Sequence, residues 1–274
     1  MMSQSQLVLI KLGGSLITDK TQAMTPRLDV IENLAEEIAT AHKALPNLRL
    51  VIGHGSGSFG HEVADRYQTQ AGGKSPTYWQ GFSEVWRAAR ALNHLVIQAL
   101  LRADLPVVAF PPSAMVITHN HQVRSWDLQP IRLALSHGLI PVVYGDVVFD
   151  TNLGGTILST EDLFQHLAPV LHPQRILIAG LDQGVYHHPQ HPDSIIPLIT
   201  PQNLAKIRPA LSPSHAVDVT GGMLAKVETM VALVKACPGL IVNIFSGATP
   251  GNLSHALTHQ GAPTGTTIAN PLEQ

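Results

Sequence analysis

The sequence predicts an α/β fold in which helices cover both faces of an open, mainly parallel sheet. Short apolar runs, each long enough for one buried strand, alternate along the chain with amphipathic segments of helical period. Glycine-rich or polar loops follow directly after several of these runs. In such sheets ligands bind beyond the carboxyl ends of the strands. The same pattern therefore predicts the fold class and the place of the functional site.

Each predicted strand is an apolar run bounded by polar, glycine or proline residues. In chain order the predicted strands are residues 7–12, 48–52, 107–110, 139–144, 175–179, 240–245 and 266–269. The predicted helices are residues 27–44, 83–101, 128–137 and 221–236. Apolar residues recur at helical spacing from Ile31 to Ile38 after Pro26, from Trp86 to Leu100 and from Met223 to Val234.

The composition excludes several classes of protein. The chain has 274 residues, of which 45% are hydrophobic and 13% charged, which argues against disorder and allows one large or two small domains. Its net charge of -2 gives no reason to expect nucleic acid or an anionic membrane as a partner. Cys237 is the single cysteine, so no internal disulfide is possible. With no signal peptide or membrane-spanning run in the sequence, we expect a cytoplasmic protein.

Four loops at predicted strand ends are candidates for one shared crevice. They are residues 13–15, 53–57, 145–146 and 180–182. Because the carboxyl ends of parallel strands lie at the same edge of a sheet, these loops are expected to converge.

The stretch VIGHGSGSFGH, residues 51–61, is the most informative of these loops. Its glycines allow a tight turn and close approach of a ligand, and backbone amides at a helix start bind anions such as phosphate. His61 would place an imidazole beside that anion. The alternative is that His61 is an ordinary helix residue with a structural hydrogen bond.

Lys11, at the end of the first strand, is followed by Gly13, Gly14 and Ser15. A charge at that position is costly unless it is paired, and lysine with a glycine backbone suits polyphosphate. The alternative is a tight turn whose lysine extends to solvent.

A second lysine follows another glycine-opened helix start. Asp218 and Thr220 resemble helix caps, Gly221 and Gly222 open the helix, and Lys226 lies one turn beyond. Lys226 could reach a bound phosphate, or it could be a solvated helix lysine.

Asp146 and Asp162 are candidate carboxylates. Lysines that share a crevice need an acidic residue to hold them apart, and a nucleotide's Mg²⁺ is often held by few carboxylates. Asp162 also suits a helix N-terminus together with Ser159, and both roles are compatible. His187, His188 and His191 match no zinc spacing and are interpreted as loop residues; no protein metal site is predicted.

Taken together, these motifs resemble the amino acid kinase superfamily and, within it, the isopentenyl phosphate kinase family. The motifs, in the expected order over nearly the whole chain, are IKLGGSLITDK, HGSGSFGH, YGDVV, LSTEDL, GLDQGVY, DVTGGMLAK, GATPGNL and GTTI. The resemblance implies a single kinase domain over residues 1–274, built as a three-layer αβα sandwich. Its half up to about residue 170 would hold the phosphate acceptor, and the rest would hold ATP. It also implies Mg²⁺-dependent transfer of the ATP γ-phosphoryl group to isopentenyl phosphate, and a homodimer.

The resemblance also assigns roles by position. Catalytic roles are implied for Lys11, Lys20, His61, Asp162 and Lys226, with Asp162 orienting the lysines and His61 hydrogen-bonded to the acceptor phosphate. Nucleotide contacts are implied for Lys11, Gly13, Gly14, Ser15, Gly57, Asp182, Gly184, Tyr186, Gly222 and Lys226. Acceptor contacts are implied for Gly55, Ser56, Gly57, His61, Gly145 and Asp146.

Two positions depart from the family pattern. Ser56 replaces a glycine of HGGG, and GLDQGVY replaces the commoner TDVDGVY, so Gln183 stands in place of a carboxylate.

An apolar pocket is expected for the acceptor's tail. Tyr78, Trp79, Phe82, Val85 and Trp86 follow the His61 segment and could line such a pocket, or could be ordinary core aromatics.

Two other functions fit the motifs. One is a kinase for another small phosphate or phosphonate such as fosfomycin, and the other is a catalytically silent nucleotide-binding regulator.

Overall fold

In the computed structural model, the described residues are 6–188, 191, 194–211, 222–259 and 265–271. The strands are β1 (Gln6–Leu12), β2 (Thr18–Asp19), β3 (Thr25–Pro26), β4 (Leu48–His54), β5 (Val107–Ala109), β6 (Val116–His119), β7 (Gln122–Trp126), β8 (Ile140–Tyr144), β9 (Asp146–Asp150), β10 (Gly154–Leu158), β11 (Arg175–Gly180), β12 (Leu198–Ile199), β13 (Ile241–Ser246) and β14 (Thr266–Ala269). The α-helices are α1 (Gly14–Ile17), α2 (Leu28–Ala44), α3 (Gly57–Arg66), α4 (Pro76–Arg102), α5 (Pro112–Met115), α6 (Gln129–Ser136), α7 (Thr160–Leu171), α8 (Leu204–Ile207), α9 (Gly222–Ala236) and α10 (Asn252–Thr258).

The main sheet has eight strands in the order β12-β14-β13-β11-β1-β4-β8-β5. Its strand pairs are parallel except β13–β14, which is antiparallel. The predicted α/β class with a mainly parallel sheet is therefore confirmed, and all seven predicted strands belong to this sheet.

The sheet is covered on both faces, as predicted. Along β1, Leu7 and Leu9 lie in one apolar core, while Val8 and Ile10 lie in the other. Residues of α6, α7 and α9 complete the first core, and residues of α2, α4 and α10 complete the second. The result is a three-layer αβα sandwich.

A second sheet was not predicted. It has four strands in the order β10-β9-β6-β7, with β9–β10 and β6–β7 antiparallel and β6–β9 parallel. Three residues of β7 are exposed and a fourth is only half-buried, so its sequence QVRSW carries no apolar run from which a strand could be predicted.

Several predicted boundaries were wrong. Helix α4 begins at Pro76 rather than residue 83, because the Ser75 hydroxyl accepts a hydrogen bond from the Tyr78 amide and caps it. Pro26 lies in β3, and α2 starts only at Leu28. Asp218, Thr220 and Gly221 lie outside the described residues. None of the helices in the described ranges is long and apolar enough to cross a membrane.

Candidate functional site

The four predicted loops meet at the carboxyl edge of the main sheet, because β11, β1, β4 and β8 are neighbours there. Backbone hydrogen bonds connect each loop to the next strand. The Gly13 amide donates to the carbonyl of Ala179 (2.8 Å), and the Gly55 amide donates to the carbonyl of Leu12 (3.1 Å). The Gly145 amide donates to the carbonyl of His54 (3.1 Å). The structure therefore brings these loops into one crevice.

The first glycine loop (residues 13–15) and the second glycine loop (residues 55–57) are in direct backbone contact. A Cβ atom at Gly14 would lie 2.5 Å from the amide nitrogen of Gly57, and one at Gly55 would lie 2.9 Å from the amide nitrogen of Gly14. Gly57 also has a positive φ of 49°. Side chains at these positions would force the loops apart, so the glycines permit the two loops to approach this closely.

The amino-terminal end of α3 presents backbone amides to this crevice. The Ser58 amide donates to the Thr18 hydroxyl, and the Phe59 amide donates to the carbonyl of Ser56. Within the described part of the chain, the amides of Ser56 and Gly57 make no hydrogen bond. They lie beside Gly145 and Gly14, respectively. Free amides at a helix start are suited to bind an anion.

Ser56 fits the second glycine loop without filling the crevice. A Cβ atom on Gly60 would lie 2.5 Å from the Ser56 hydroxyl oxygen, so the Ser56 side chain packs against Gly60 of its own helix. His61 lies in the second turn of α3 and is half-buried.

Lys11 and Glu161 form a buried ion pair. Alternation along β1 puts Lys11 on the same face as Leu7 and Leu9, which is the face covered by α7. The Lys11 ammonium contacts the Glu161 carboxylate in the first turn of α7, and their side chains are only 10% and 14% exposed. Glu161 was not selected from the sequence. The acidic pair after Ser159 was the available signal, but the helix start alone does not show which carboxylate reaches Lys11.

The charges of this pair are coupled to Lys226. Burial lowers the pKa of Lys11, the Glu161 carboxylate raises it, and Lys226 lowers it. Burial by itself would raise the pKa of Glu161, but Lys11 and Lys226 together hold it below the usual range. Lys11, Glu161 and Lys226 therefore form one group of interacting charges.

Asp162 has a different set of contacts. Its carboxylate accepts hydrogen bonds from the Ser159 amide (2.8 Å) and hydroxyl (2.7 Å), and its own amide donates to the Ser159 hydroxyl. This is a capping box that starts α7. The capping role considered for Asp162 is confirmed, and the carboxylate in contact with Lys11 is that of Glu161.

Lys20 lies exposed in the turn between β2 and β3. The Thr25 amide donates to the Ser58 hydroxyl (3.2 Å), and the Met24 amide donates to the Ser58 carbonyl (3.2 Å). The hairpin that carries Lys20 is thereby attached to the first turn of α3.

Asp146 is buried directly after Gly145. Its carboxylate accepts hydrogen bonds from the amides of Ser113 (3.2 Å) and Val147 (2.9 Å). Burial raises the pKa of Asp146 to about 6.

His54, at the end of β4, is a further buried group that sequence reasoning missed. Its ring lies between the Gly55 carbonyl and the Asn93 side-chain oxygen, 3.1 Å from each, and stacks on Tyr144. Burial lowers the pKa of His54. Through its contact with the Gly55 carbonyl, the His54 ring supports the backbone of the second glycine loop.

The turn that contains Asp182, Gly184 and Tyr186 is attached to β14. The Val185 amide donates to the Thr266 hydroxyl (2.8 Å), and a Cβ atom at Gly184 would lie 2.9 Å from that oxygen. The Tyr186 hydroxyl accepts from the Gln183 amide. Asp182 is exposed.

Gly222 has a positive φ of 67° and starts α9, and a Cβ atom placed on it would lie more than 4 Å from every residue that the structure describes outside its own turn. Lys226 lies one turn later on that helix.

A small apolar cluster lies beside α3. We define it as Tyr78, Phe82, Val85 and Val147, with Val63, Ala64, Trp79 and Ile157 packed against it. Val63 and Ala64 follow His61 on the same helix, so the cluster packs against the helix that begins at the second glycine loop. Trp86 is not in this cluster: it is 38% exposed and lies under the Arg90 guanidinium. The prediction that Trp86 lies on the buried stripe of its helix was wrong, because Val85 occupies that side.

Comparisons with known proteins identify the family of the chain. The model of the amino acid kinase family matches residues 6–243. The chain is 34% identical to an isopentenyl phosphate kinase of Methanocaldococcus jannaschii, over 92% of this chain and 95% of that protein. It is 33% identical to one of Methanothermobacter thermautotrophicus, over 92% and 95%.

A solved structure described as "X-ray structures of isopentenyl phosphate kinase" superimposes with a TM-score of 0.81 and 30% sequence identity. The match covers 96% of this chain and all of that one. The chain therefore belongs to the amino acid kinase family and, within it, to the isopentenyl phosphate kinases.

Proposed function

We propose that this protein transfers the γ-phosphoryl group of ATP to isopentenyl phosphate, giving isopentenyl diphosphate and ADP. The observation that carries the proposal is the backbone contact between the two glycine loops. The first loop follows the buried ion pair of Lys11 and Glu161, whose charges interact with Lys226. The second loop carries free amides at the start of α3, the helix that also carries His61 and packs against the apolar cluster. Two phosphate groups bound to these loops would be close enough for direct transfer.

Phosphoryl transfer needs positioning and charge neutralisation more than covalent chemistry. Holding two reactants in line can supply about 7–11 kcal/mol of the barrier reduction. Lys11 and Lys226 would neutralise the transferring phosphate, with Glu161 keeping Lys11 charged in its buried site. Lys20, on the hairpin attached to Ser58, would approach from the exposed side.

The acceptor phosphate would bind the amides of Ser56 and Gly57 at the start of α3. His61, one turn later, would donate a hydrogen bond to that phosphate. Gly145 lies beside the Ser56 amide, and Asp146 holds the backbone there through its hydrogen bonds.

The apolar tail of the acceptor would contact the cluster of Tyr78 and Phe82. Both are more than nine-tenths buried, and a Cβ atom at Gly155 would lie 2.8 Å from Phe82 and 2.9 Å from the Tyr78 hydroxyl. This close packing supports a short, five-carbon tail. The apolar character also disfavours a compact polar acceptor such as fosfomycin.

ATP would bind between the first glycine loop, the turn around Gly184 and Tyr186, and the start of α9 at Gly222, with Asp182 at the exposed edge. Mg²⁺ would enter with the nucleotide phosphates, since Glu161 and Asp162 already bind Lys11 and Ser159. One kinase domain would thus bind the acceptor in its first half and ATP in its second. A cytoplasmic homodimer is the proposed working form, and neither nucleic acid nor a membrane is a proposed partner.

The deciding experiment measures ADP release with magnesium-ATP and, in turn, isopentenyl phosphate, dimethylallyl phosphate and fosfomycin. We expect isopentenyl phosphate to give the highest kcat/KM. A higher kcat/KM for fosfomycin than for isopentenyl phosphate would refute the proposed substrate. ATP binding without transfer to any acceptor would favour a catalytically silent regulator.

The matched variants are His61→Ala and His42→Ala. We expect His61→Ala to lower kcat by about 100-fold or more, as loss of one donor to a developing charge does elsewhere. His42 lies in the last turn of α2, remote from the crevice, and its variant should keep full activity. Full activity of His61→Ala would refute the role of His61.

A further inference from the structure

The hydroxyl of Thr18 connects the two glycine loops. Thr18 is fully buried and follows α1, which begins in the first glycine loop. Its hydroxyl donates to the carbonyl of Gly14 (2.7 Å) and accepts from the amide of Ser58 (2.9 Å). Because the Ser58 amide can only donate, the hydroxyl oxygen accepts that bond and its single proton is left for the Gly14 carbonyl. One side-chain oxygen therefore links a backbone group beside each loop.

The local structure of α3 depends on this contact. The residue at its N-cap, Ser56, makes no capping hydrogen bond with its side chain. The Thr18 hydroxyl instead satisfies the amide at the second position of the helix, a bond that an N-cap side chain normally supplies. Glycine is needed at position 57 for this bond, because a Cβ atom on Gly57 would collide with the Thr18 hydroxyl.

Ser58 extends the connection to the hairpin of Lys20. Its hydroxyl accepts from the Thr25 amide and its carbonyl accepts from the Met24 amide, both at 3.2 Å. Ser58 itself is buried. The first glycine loop, the second glycine loop and this hairpin are thus held together through Thr18 and Ser58.

We propose that Thr18 is a positioning residue whose hydroxyl sets the spacing of the two phosphate-binding loops, and that Ser58 transmits this position to Lys20. The inference rests on the proposed function, because spacing matters only if both loops hold reacting phosphates. Each loop has its own strand and its own backbone bonds, so each can bind its ligand without Thr18. The hydroxyl is needed to bring the two bound phosphates to reacting distance.

The kinetic test compares Thr18→Val, which removes the hydroxyl at nearly constant volume, with Thr18→Ser, which keeps it. We expect Thr18→Val to lower kcat by about 10- to 100-fold, because a misplacement of about 1 Å can cost that much. The KM values for ATP and for isopentenyl phosphate should change by less than about threefold, since ground-state binding to each loop is retained. Thr18→Ser should recover most of the wild-type kcat.

Thr118→Val is the matched control. Thr118 is equally buried, and its hydroxyl is also hydrogen-bonded, its proton being shared between the Asp150 carboxylate (2.8 Å) and the Phe149 carbonyl (3.3 Å), but in the second sheet. We expect a similar loss of thermal stability with kcat unchanged. An equal loss of kcat in both valine variants, or a Thr18→Val enzyme within twofold of wild type, would overturn the positioning role.

Hydrogen exchange supplies a readout that needs no substrate. In Thr18→Val, peptides covering residues 13–19 and 56–66 should exchange faster than in wild type, while Thr18→Ser should not differ. Unchanged exchange in Thr18→Val would refute the bridge itself. If wild type transfers phosphate to none of the acceptors, the proposed function fails and the positioning role fails with it, whereas the exchange data still decide whether Thr18 couples the loops.

Discussion

Replacing Glu161 by glutamine would leave the Lys11 ammonium buried without its anionic partner. The Lys11 and Glu161 side chains are 10% and 14% exposed, so little water can replace the lost carboxylate. Removing one member of such a pair costs about 3–5 kcal/mol, because an uncompensated charge stays buried. Against a total stability of about 5–15 kcal/mol, the variant should show a clearly lower urea midpoint by circular dichroism.

The double variant Lys11→Met/Glu161→Gln separates pairing from burial. Removing both charges leaves no buried ion, so we expect the double variant to lose much less free energy of unfolding than the two single variants combined. Stability changes that add to within about 0.5 kcal/mol would refute the coupling.

The same substitution should change the pH dependence of catalysis. Burial and Lys226 lower the pKa of Lys11, and Glu161 raises it. Without Glu161, Lys11 loses its proton at a lower pH, so the alkaline limb of kcat/KM should move toward neutral pH in Glu161→Gln. Glu161→Asp keeps the charge and should keep the limb near its wild-type position. An identical alkaline limb in wild type and Glu161→Gln would contradict this role.

Three further predictions concern single residues. Arg175 is buried and donates hydrogen bonds to the carbonyls of Ala256, Leu257 and His259 at the end of α10. Arg175→Met should therefore lower the free energy of unfolding, measured by urea titration, by about 3 kcal/mol. A loss below about 1 kcal/mol would contradict this. The pKa of Asp146 is about 6 in the folded protein, against an ordinary value of 3.8, so the folded state binds more protons between these two pH values. Stability of wild type relative to Asp146→Asn should therefore fall by about 2 kcal/mol as the pH rises from 4 to 7, and parallel pH curves would refute the raised pKa. Phe82→Ala should raise kcat/KM for geranyl phosphate at least about tenfold relative to isopentenyl phosphate, because it removes the ring at the end of the apolar cluster; an unchanged ratio would show that this cluster does not limit tail length.

Local periodicity was sufficient to predict most strands of the main sheet. Buried parallel strands such as β1 and β8 are continuous apolar runs, so they can be recognised without knowing their neighbours. The strands of the second sheet could not be recognised in this way. In β7, exposed and buried residues are mixed, and the pairing of β9 with β6 joins segments that are distant in sequence.

The candidate site likewise contains some residues that local sequence predicts and others that only the structure identifies. The glycine loops, Lys11 and the capping of α7 follow from residue types at strand ends and helix starts, which are local signals. The partner of Lys11 does not, since Glu161 and Asp162 are adjacent and only the packing of α7 on the sheet decides that Glu161 faces Lys11.

The sequence by itself determined the α/β class, the main strands, the place of the crevice and, through ordered motifs, the family. These depend on apolar period and on glycine at fixed positions, and both can be read within a few residues. Only the tertiary structure decided that Thr18 joins the glycine loops, that Asn93 and Tyr144 hold the His54 ring beside the second one and that Trp86 lies outside the apolar cluster. The contacts of Thr18 and His54 join residues that are far apart in the chain, so they exist only once the strands have paired and the helices have packed.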